Sequence, residues 1–252
     1  MNSLEFTRFS PLDYAGAEAL NTLCTNLSFA GANVRRVMMT SCQSAEGKSF
    51  ISMNMMRTFA SLGKRVVLVD ADLRRSMIAS RYGMQMYSDT GGQGLTHYLA
   101  GMCEMEDVVY STNIPGAFMV PVGRDVSNSL SLLTNSRLPA LLDTLADSFD
   151  IVLVDAPPVG VIIDAAEISK YCDGTLLVVS YNKVRRHDLI EAKRQIEHAG
   201  CPVLGTVLNN VSFDTYSSKK YYNKTYYNTY YVSDYYRHDD SQSSQSGSGG
   251  KR

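Results

Sequence analysis

The chain has 252 residues, with 24 Lys and Arg against 25 Asp and Glu and a formal net charge of -1. That length allows one or two domains at about 150 residues each. The charge balance gives no composition-level support to binding of nucleic acid or any other polyanion, so no nucleic-acid partner is expected. No run reaches the roughly 18 uninterrupted apolar residues of a membrane span, and residues 1–10 lack the apolar core of a signal peptide. Five cysteines, at 24, 42, 103, 172 and 201, contain no CxxC pair. The expectation is a cytoplasmic protein with reduced, mostly buried thiols.

In chain order, Ala17, Leu20, Leu23, Cys24 and Leu27 fall on one face of a helix expected over about 15–29. Val37 to Thr40 is a short apolar run and reads as a buried strand. After a loop, Ile51, Met55, Phe59 and Leu62 repeat at helical spacing, and Gly63 with Lys64 and Arg65 marks the helix end. Val66 to Val69 is the next strand. Strand, helix and strand with short links form the βαβ unit of a parallel sheet, and hence an α/β fold. Further strands are expected at Phe118 to Val122, Ile151 to Val154, Leu176 to Ser180 and Val203 to Leu208. Asp164, after Ile163, is placed to cap a helix. Lys183, Arg185 and Arg186 read as a solvated basic turn, with a face toward nucleotide or partner as the second reading. From Ser212 to Arg252 the chain is polar and ends in a Gly/Ser-rich stretch. Such a segment cannot bury a core, so a domain over 1–211 and a disordered tail over 212–252 are expected.

The loop after the first strand reads Ser41-Cys42-Gln43-Ser44-Ala45-Glu46-Gly47-Lys48-Ser49. Against the pattern GxxxxGK followed by Ser or Thr, its last three positions match and Cys42 replaces the first glycine. A loop that opens a helix points backbone N–H groups at phosphate oxygens, and the helix dipole adds partial positive charge there. Cys42 through Ser49 are therefore the candidate phosphate-binding residues. Lys48 would reach the β- and γ-phosphates and Ser49 would complete the shell of a Mg²⁺ ion. Two strands end in carboxylates, as Asp70-Ala71-Asp72-Leu73-Arg74 and as Asp155-Ala156-Pro157-Pro158. Ligands bind beyond the carboxyl ends of such strands. The combination points to Mg-nucleotide chemistry, with Asp155 on the metal through water and Asp70 or Asp72 orienting or deprotonating a nucleophile.

Together, the phosphate loop, the DxDxR box at Asp70 to Arg74, the acidic box at Asp155 and a tyrosine-rich C-terminus resemble the bacterial tyrosine kinases of capsule and exopolysaccharide biosynthesis. The resemblance implies a P-loop NTPase-like three-layer sandwich around a mainly parallel sheet, with ATP and Mg²⁺ as cofactors. It implies Lys48 and Ser49 on phosphates and Mg²⁺, Asp70 as base for a tyrosine hydroxyl, Asp72 and Asp155 arranging the metal, and Asn209 near the adenine. Of 16 tyrosines, nine lie at or beyond Tyr216. The implied phosphoacceptors are Tyr216, Tyr221, Tyr222, Tyr226, Tyr227, Tyr230, Tyr231, Tyr235 and Tyr236. Autophosphorylation in trans, control of polysaccharide polymerisation and export, and an opposing tyrosine phosphatase follow from the same resemblance. So does recruitment to the inner face of the membrane by a co-polymerase whose cytoplasmic segment activates the kinase.

Three positions depart from the family pattern. Its oligomer-forming helix carries ExxRxxR, where this chain has Glu18, Asn21 and Cys24, so a homo-oligomer built on helix 15–29 would lack those arginines. A stretch resembling NPxELL reads Asn128-Ser129-Leu130-Ser131-Leu132-Leu133, and Cys42 stands in the phosphate loop. The tail carries six Lys and Arg against four Asp, and each phosphotyrosine adds about -1.5 to -2, so two modifications would reverse its sign. That reversal is expected to dissociate a multimer. Two other readings stay open on the residues. One is a MinD/ParA-like ATPase switch, against which stands Gln43 where those proteins carry an early lysine. The other is a catalytically silent nucleotide-binding scaffold of polysaccharide export.

Overall fold

The computed structural model describes residues 2–211 apart from Ala32, Thr90 and Ser127. The tail expected over 212–252, with all nine candidate phosphoacceptors, lies outside the described residues. Within the unit Met1–Asn209 the elements run β1 (Ser3–Phe6), α1 (Tyr14–Ser28), β2 (Arg36–Ser41), α2 (Lys48–Ser61), β3 (Val66–Asp70), α3 (Ile78–Tyr82), β4 (Met84–Tyr87) and α4 (Leu95–Leu99). They continue as β5 (Tyr110–Thr112), β6 (Ala117–Val120), α5 (Leu130–Leu133), α6 (Arg137–Ser148), β7 (Ile151–Asp155), α7 (Asp164–Ser169), β8 (Gly174–Ser180), α8 (Arg186–His198) and β9 (Val203–Asn209).

Among the described residues the nine strands form one sheet in the order β4-β1-β5-β6-β3-β7-β2-β8-β9. From β6 to β9 every pairing is parallel. The antiparallel pairs, β1 with β4 and β5 with β6, lie toward the other edge. The central strands are buried along their whole length because both faces of the sheet are covered. One face packs residues of α1 and α2, including Leu20, Cys24, Ile51, Met55 and Phe59. The other packs residues of α6, α7 and α8, including Leu138, Leu142, Ile168 and Ile196. These are the three layers of an α/β sandwich.

Local chemistry sets the element ends. Asp13 caps α1, its carboxylate accepting from the Gly16 N–H at 2.9 Å. Leu62, expected on the inner face of α2, is instead its half-exposed C-cap, and Gly63 turns the chain through φ 78°. The strand expected to run to Val122 stops at Val120, because Pro121 has no N–H to give a ladder. The short strands β1, β4 and β5 were not foreseen. All five cysteines are buried and free. Among the described residues no helix is long and apolar enough to cross a membrane.

Candidate active site

The carboxyl ends of β2, β3, β7, β8 and β9 come together around the loop that precedes α2. This loop is fastened from inside. Glu46 is buried, and its carboxylate accepts from the Gln43 N–H at 2.7 Å and from the Ser180 N–H of β8 at 3.1 Å. Asn209, the last residue of β9, donates from Nδ2 to the Glu46 carbonyl at 2.9 Å. Ala45 and Gly47 take positive φ, 62° and 93°. A Cβ at Gly47 would stand 2.0 Å from Asn209 Nδ2, so both backbone angle and space demand glycine there. The helix α2 starts at Lys48 with no side-chain cap, which leaves its first N–H groups for an anion.

Three acids line the site. Asp70 and Asp155 end neighbouring parallel strands in direct register. Lys48 Nζ is 3.0 Å from Asp72 Oδ2, and Asp72 Oδ1 accepts from the Arg75 N–H at 3.1 Å. Asp72, expected on the metal, is thus already engaged through both oxygens. Ser76 donates to Asp70 Oδ2, and Ser52 Oγ lies 3.0 Å from Asp155 Oδ1. The remaining oxygens, Asp70 Oδ1 and Asp155 Oδ2, are buried with no hydrogen-bond partner. Burial first, and then the charge of Asp155, push the Asp70 carboxyl up to about 8. Asp155 is raised as well, chiefly by burial, against the lowering pull of Lys48 and of the Ser49 and Ser52 hydroxyls. Burial works against the Lys48 charge, but Asp155, Asp72 and Asp70 outweigh it and hold its ammonium protonated above the usual lysine range.

Two orphaned carboxylate oxygens beside a serine hydroxyl suit a hard, oxygen-seeking cation such as Mg²⁺. Among the described residues no group of three or more His, Cys, Asp or Glu is set to hold a metal by itself.

The structure brings the loop residues 42–49, Asp70, Asp72, Asp155 and Asn209 into one site, and corrects one reading, that of Asp164. Cys42 is buried against the core, and burial with the neighbouring Glu46 charge pushes its thiol up to about 11. It is a space-filling side chain. Asp164 is no helix cap: α7 has no side-chain cap bond. Its buried carboxylate accepts from Arg74 Nε at 2.9 Å, from Arg74 Nη2 at 3.3 Å and from Ser129 Oγ. The arginine of the DxDxR box is thereby tied to the loops before α5 and α7, a role that sequence spacing does not reveal. Lys183, Arg185 and Arg186 are exposed, Lys183 on the turn after β8 and Arg185 and Arg186 at the start of α8. A concavity of about 400 Å³, lined by Leu27, Phe59, Lys64 and Asp150 among others, lies at the opposite ends of the strands and includes none of Asp70, Asp72 and Asp155.

Because the Glu46 carboxylate joins two loop ends by charge-assisted bonds, Glu46→Gln is expected to weaken Mg-nucleotide binding by roughly three- to tenfold with the fold kept. Titration calorimetry against circular dichroism checks this.

The family description CobQ/CobB/MinD/ParA nucleotide binding domain matches residues 37–227. The chain is 34% identical over 196 residues to the tyrosine-protein kinase CpsD of Streptococcus agalactiae serotype Ia, covering 77% of this chain and 82% of that protein. Its fold is similar to the kinase domain of the Escherichia coli tyrosine kinase ETK, with a TM-score of 0.72 and 28% identity over 79% of this chain and 77% of that one. The septum site-determining protein MinD complexed with Mg-ADP, from Pyrococcus horikoshii OT3, shares the fold with a TM-score of 0.59 and 23% identity, covering 69% of each chain.

Proposed function

The chain belongs to the bacterial tyrosine-protein kinases of the capsule and exopolysaccharide type, and from that premise we propose that it uses Mg-ATP to phosphorylate the tyrosine cluster between Tyr216 and Tyr236. The observation that supports this most is the pair of unpartnered oxygens on Asp70 and Asp155, opposed across two strands beside Lys48.

In this reading the first N–H groups of α2 and the Lys48 ammonium bind the β- and γ-phosphates. Ser49 and Asp155 hold Mg²⁺, which when bound neutralises charge on those phosphate oxygens. Asp72 aims the lysine. The tyrosine oxygen bonds to the γ-phosphorus, the bond to the ADP oxygen breaks, and the phenolic proton passes to Asp70. Asn209, already on the loop, borders the adenine. Transfer runs between copies, and the accumulating negative charge on the tail drives them apart. A membrane co-polymerase supplies the activating cytoplasmic segment and the membrane location, and a cognate phosphatase resets the tail.

A chain ended after Val211 is expected to bind Mg-ATP as the full chain does and to incorporate no phosphotyrosine, read by nucleotide titration and by γ-labelled ATP with phosphosite mapping. Phosphate release by the full chain without tyrosine labelling would overturn the proposal and favour the ATPase switch. Nucleotide binding with neither would favour the scaffold.

A further inference from the structure

Resting on the reading that the tyrosine cluster is the substrate, we propose that Met77, Val161 and Ile163 form an apolar rim that selects tyrosine doublets. One ring of the doublet lies against the rim while its neighbour enters the catalytic pocket, and the occupant is the segment 221–236.

Met77, Val161 and Ile163 are 52%, 60% and 66% exposed. Single exposed apolar side chains are ordinary, but each of these three adjoins in sequence a residue that is bonded to, or packed on, the site. Each is anchored to the catalytic machinery by its neighbour in sequence. Met77 follows Ser76, whose hydroxyl donates to Asp70. Val161 follows Gly160, where a Cβ would stand 2.3 Å from the Cys42 carbonyl, so this loop is pressed onto the phosphate loop. Ile163 precedes Asp164, which holds Arg74 at 2.9 Å. The Arg74–Asp164 ion pair therefore joins the loop after β3 to the start of α7, the two segments that carry Met77 on one side and Val161 and Ile163 on the other.

The occupant follows from the pattern of the tyrosines. Eight of the nine at or beyond Tyr216 come in pairs: Tyr221-Tyr222, Tyr226-Tyr227, Tyr230-Tyr231 and Tyr235-Tyr236. Consecutive side chains leave an extended backbone in diverging directions from Cα atoms about 3.8 Å apart. If one ring is in the pocket, the other must lie outside it. A tyrosine ring offers an apolar face with a polar tip, which matches an apolar border open to water. A single tyrosine among Asn, Thr and Ser would leave the rim uncovered.

The test compares two peptides spanning residues 221–236 as substrates of the full-length kinase at saturating Mg-ATP. One has the natural sequence, and the other carries Tyr222→Ala, Tyr227→Ala, Tyr231→Ala and Tyr236→Ala, so that each doublet keeps one tyrosine. The wild-type enzyme is expected to show a KM roughly tenfold lower for the natural peptide, the worth of one well-covered ring. In the Met77→Ser, Val161→Ser, Ile163→Ser variant the two KM values should fall within about twofold of each other, with kcat and nucleotide affinity little changed. Ile163→Ser alone should give an intermediate ratio. A variant that keeps the tenfold preference, or a wild type without one, overturns the rim and leaves the tail as substrate. A wild type that phosphorylates other tyrosine substrates but neither peptide nor its own tail overturns the reading beneath it.

Discussion

Lys48→Met is expected to lower tyrosine phosphorylation by at least about 10²–10³-fold, the usual loss when a preorganised charge aimed at a reacting group is removed. Methionine keeps much of the length and the apolar stem of the lysine, so the substitution isolates the ammonium. That ammonium is 3.0 Å from Asp72 and lies in the field of Asp155 and Asp70 as well. Its removal leaves three acids around one pocket with no internal cation. Asp70 and Asp155, already raised by burial, lose the lowering pull of Lys48 and rise further, so the variant's stability should fall more steeply than that of wild type between pH 5 and pH 8, where the folded protein keeps protons that the unfolded chain gives up. Incorporation from γ-labelled ATP reads the first effect, and thermal melts at the two pH values read the second. A variant that retains a tenth of wild-type labelling would place the essential cation elsewhere.

Asp70→Asn is expected to separate stability from activity. The Asp70 carboxyl is held up to about 8 in the folded protein, by burial and then by Asp155, against about 3.9 in an unfolded chain. Between those values the folded state binds more protons than the unfolded one, so this group costs stability as pH rises from about 4 to about 8 and no further beyond. Asparagine removes the cost. In the absence of nucleotide the variant should melt higher than wild type at pH 8, by a few degrees for each kcal/mol recovered, and the difference should shrink toward pH 5. Tyrosine phosphorylation should fall by about 10²–10⁴-fold through loss of the proposed base. Equal melting of the two proteins at pH 8 would show that the Asp70 charge is accommodated without penalty.

The parallel centre of the sheet was legible because its strands are buried on both faces and therefore read as unbroken apolar runs, Val66–Asp70 and Ile151–Asp155 above all. The strands toward the other edge were not. Ser3–Phe6, Met84–Tyr87 and Tyr110–Thr112 are three or four residues long and partly exposed, and such fragments carry too little pattern to separate from loop. At the site, the spacing around Gly47, Lys48 and Ser49 and the acids at strand ends were enough to place these residues together at the carboxyl ends of the strands. The side-chain roles of Glu46 and Asp164 did not show. Glu46 finds its second partner 134 residues away at Ser180, and Asp164 finds Arg74 90 residues away. Such partners depend on topology, which local spacing does not encode.

The fastening of the loop by Asn209 has a consequence for biosynthesis. Its bond to Glu46 spans 163 residues, and β2 itself sits between two strands, β7 and β8, that follow it in the chain. On the ribosome the loop emerges early but cannot take its final shape until β9 has been made. A nascent chain is thus unable to hold nucleotide securely while most of its length is being translated. At ~5–20 residues per second, only a few seconds then separate completion of β9 from translation of residues 210–252. Competence to phosphorylate and the tyrosines themselves would arise almost together.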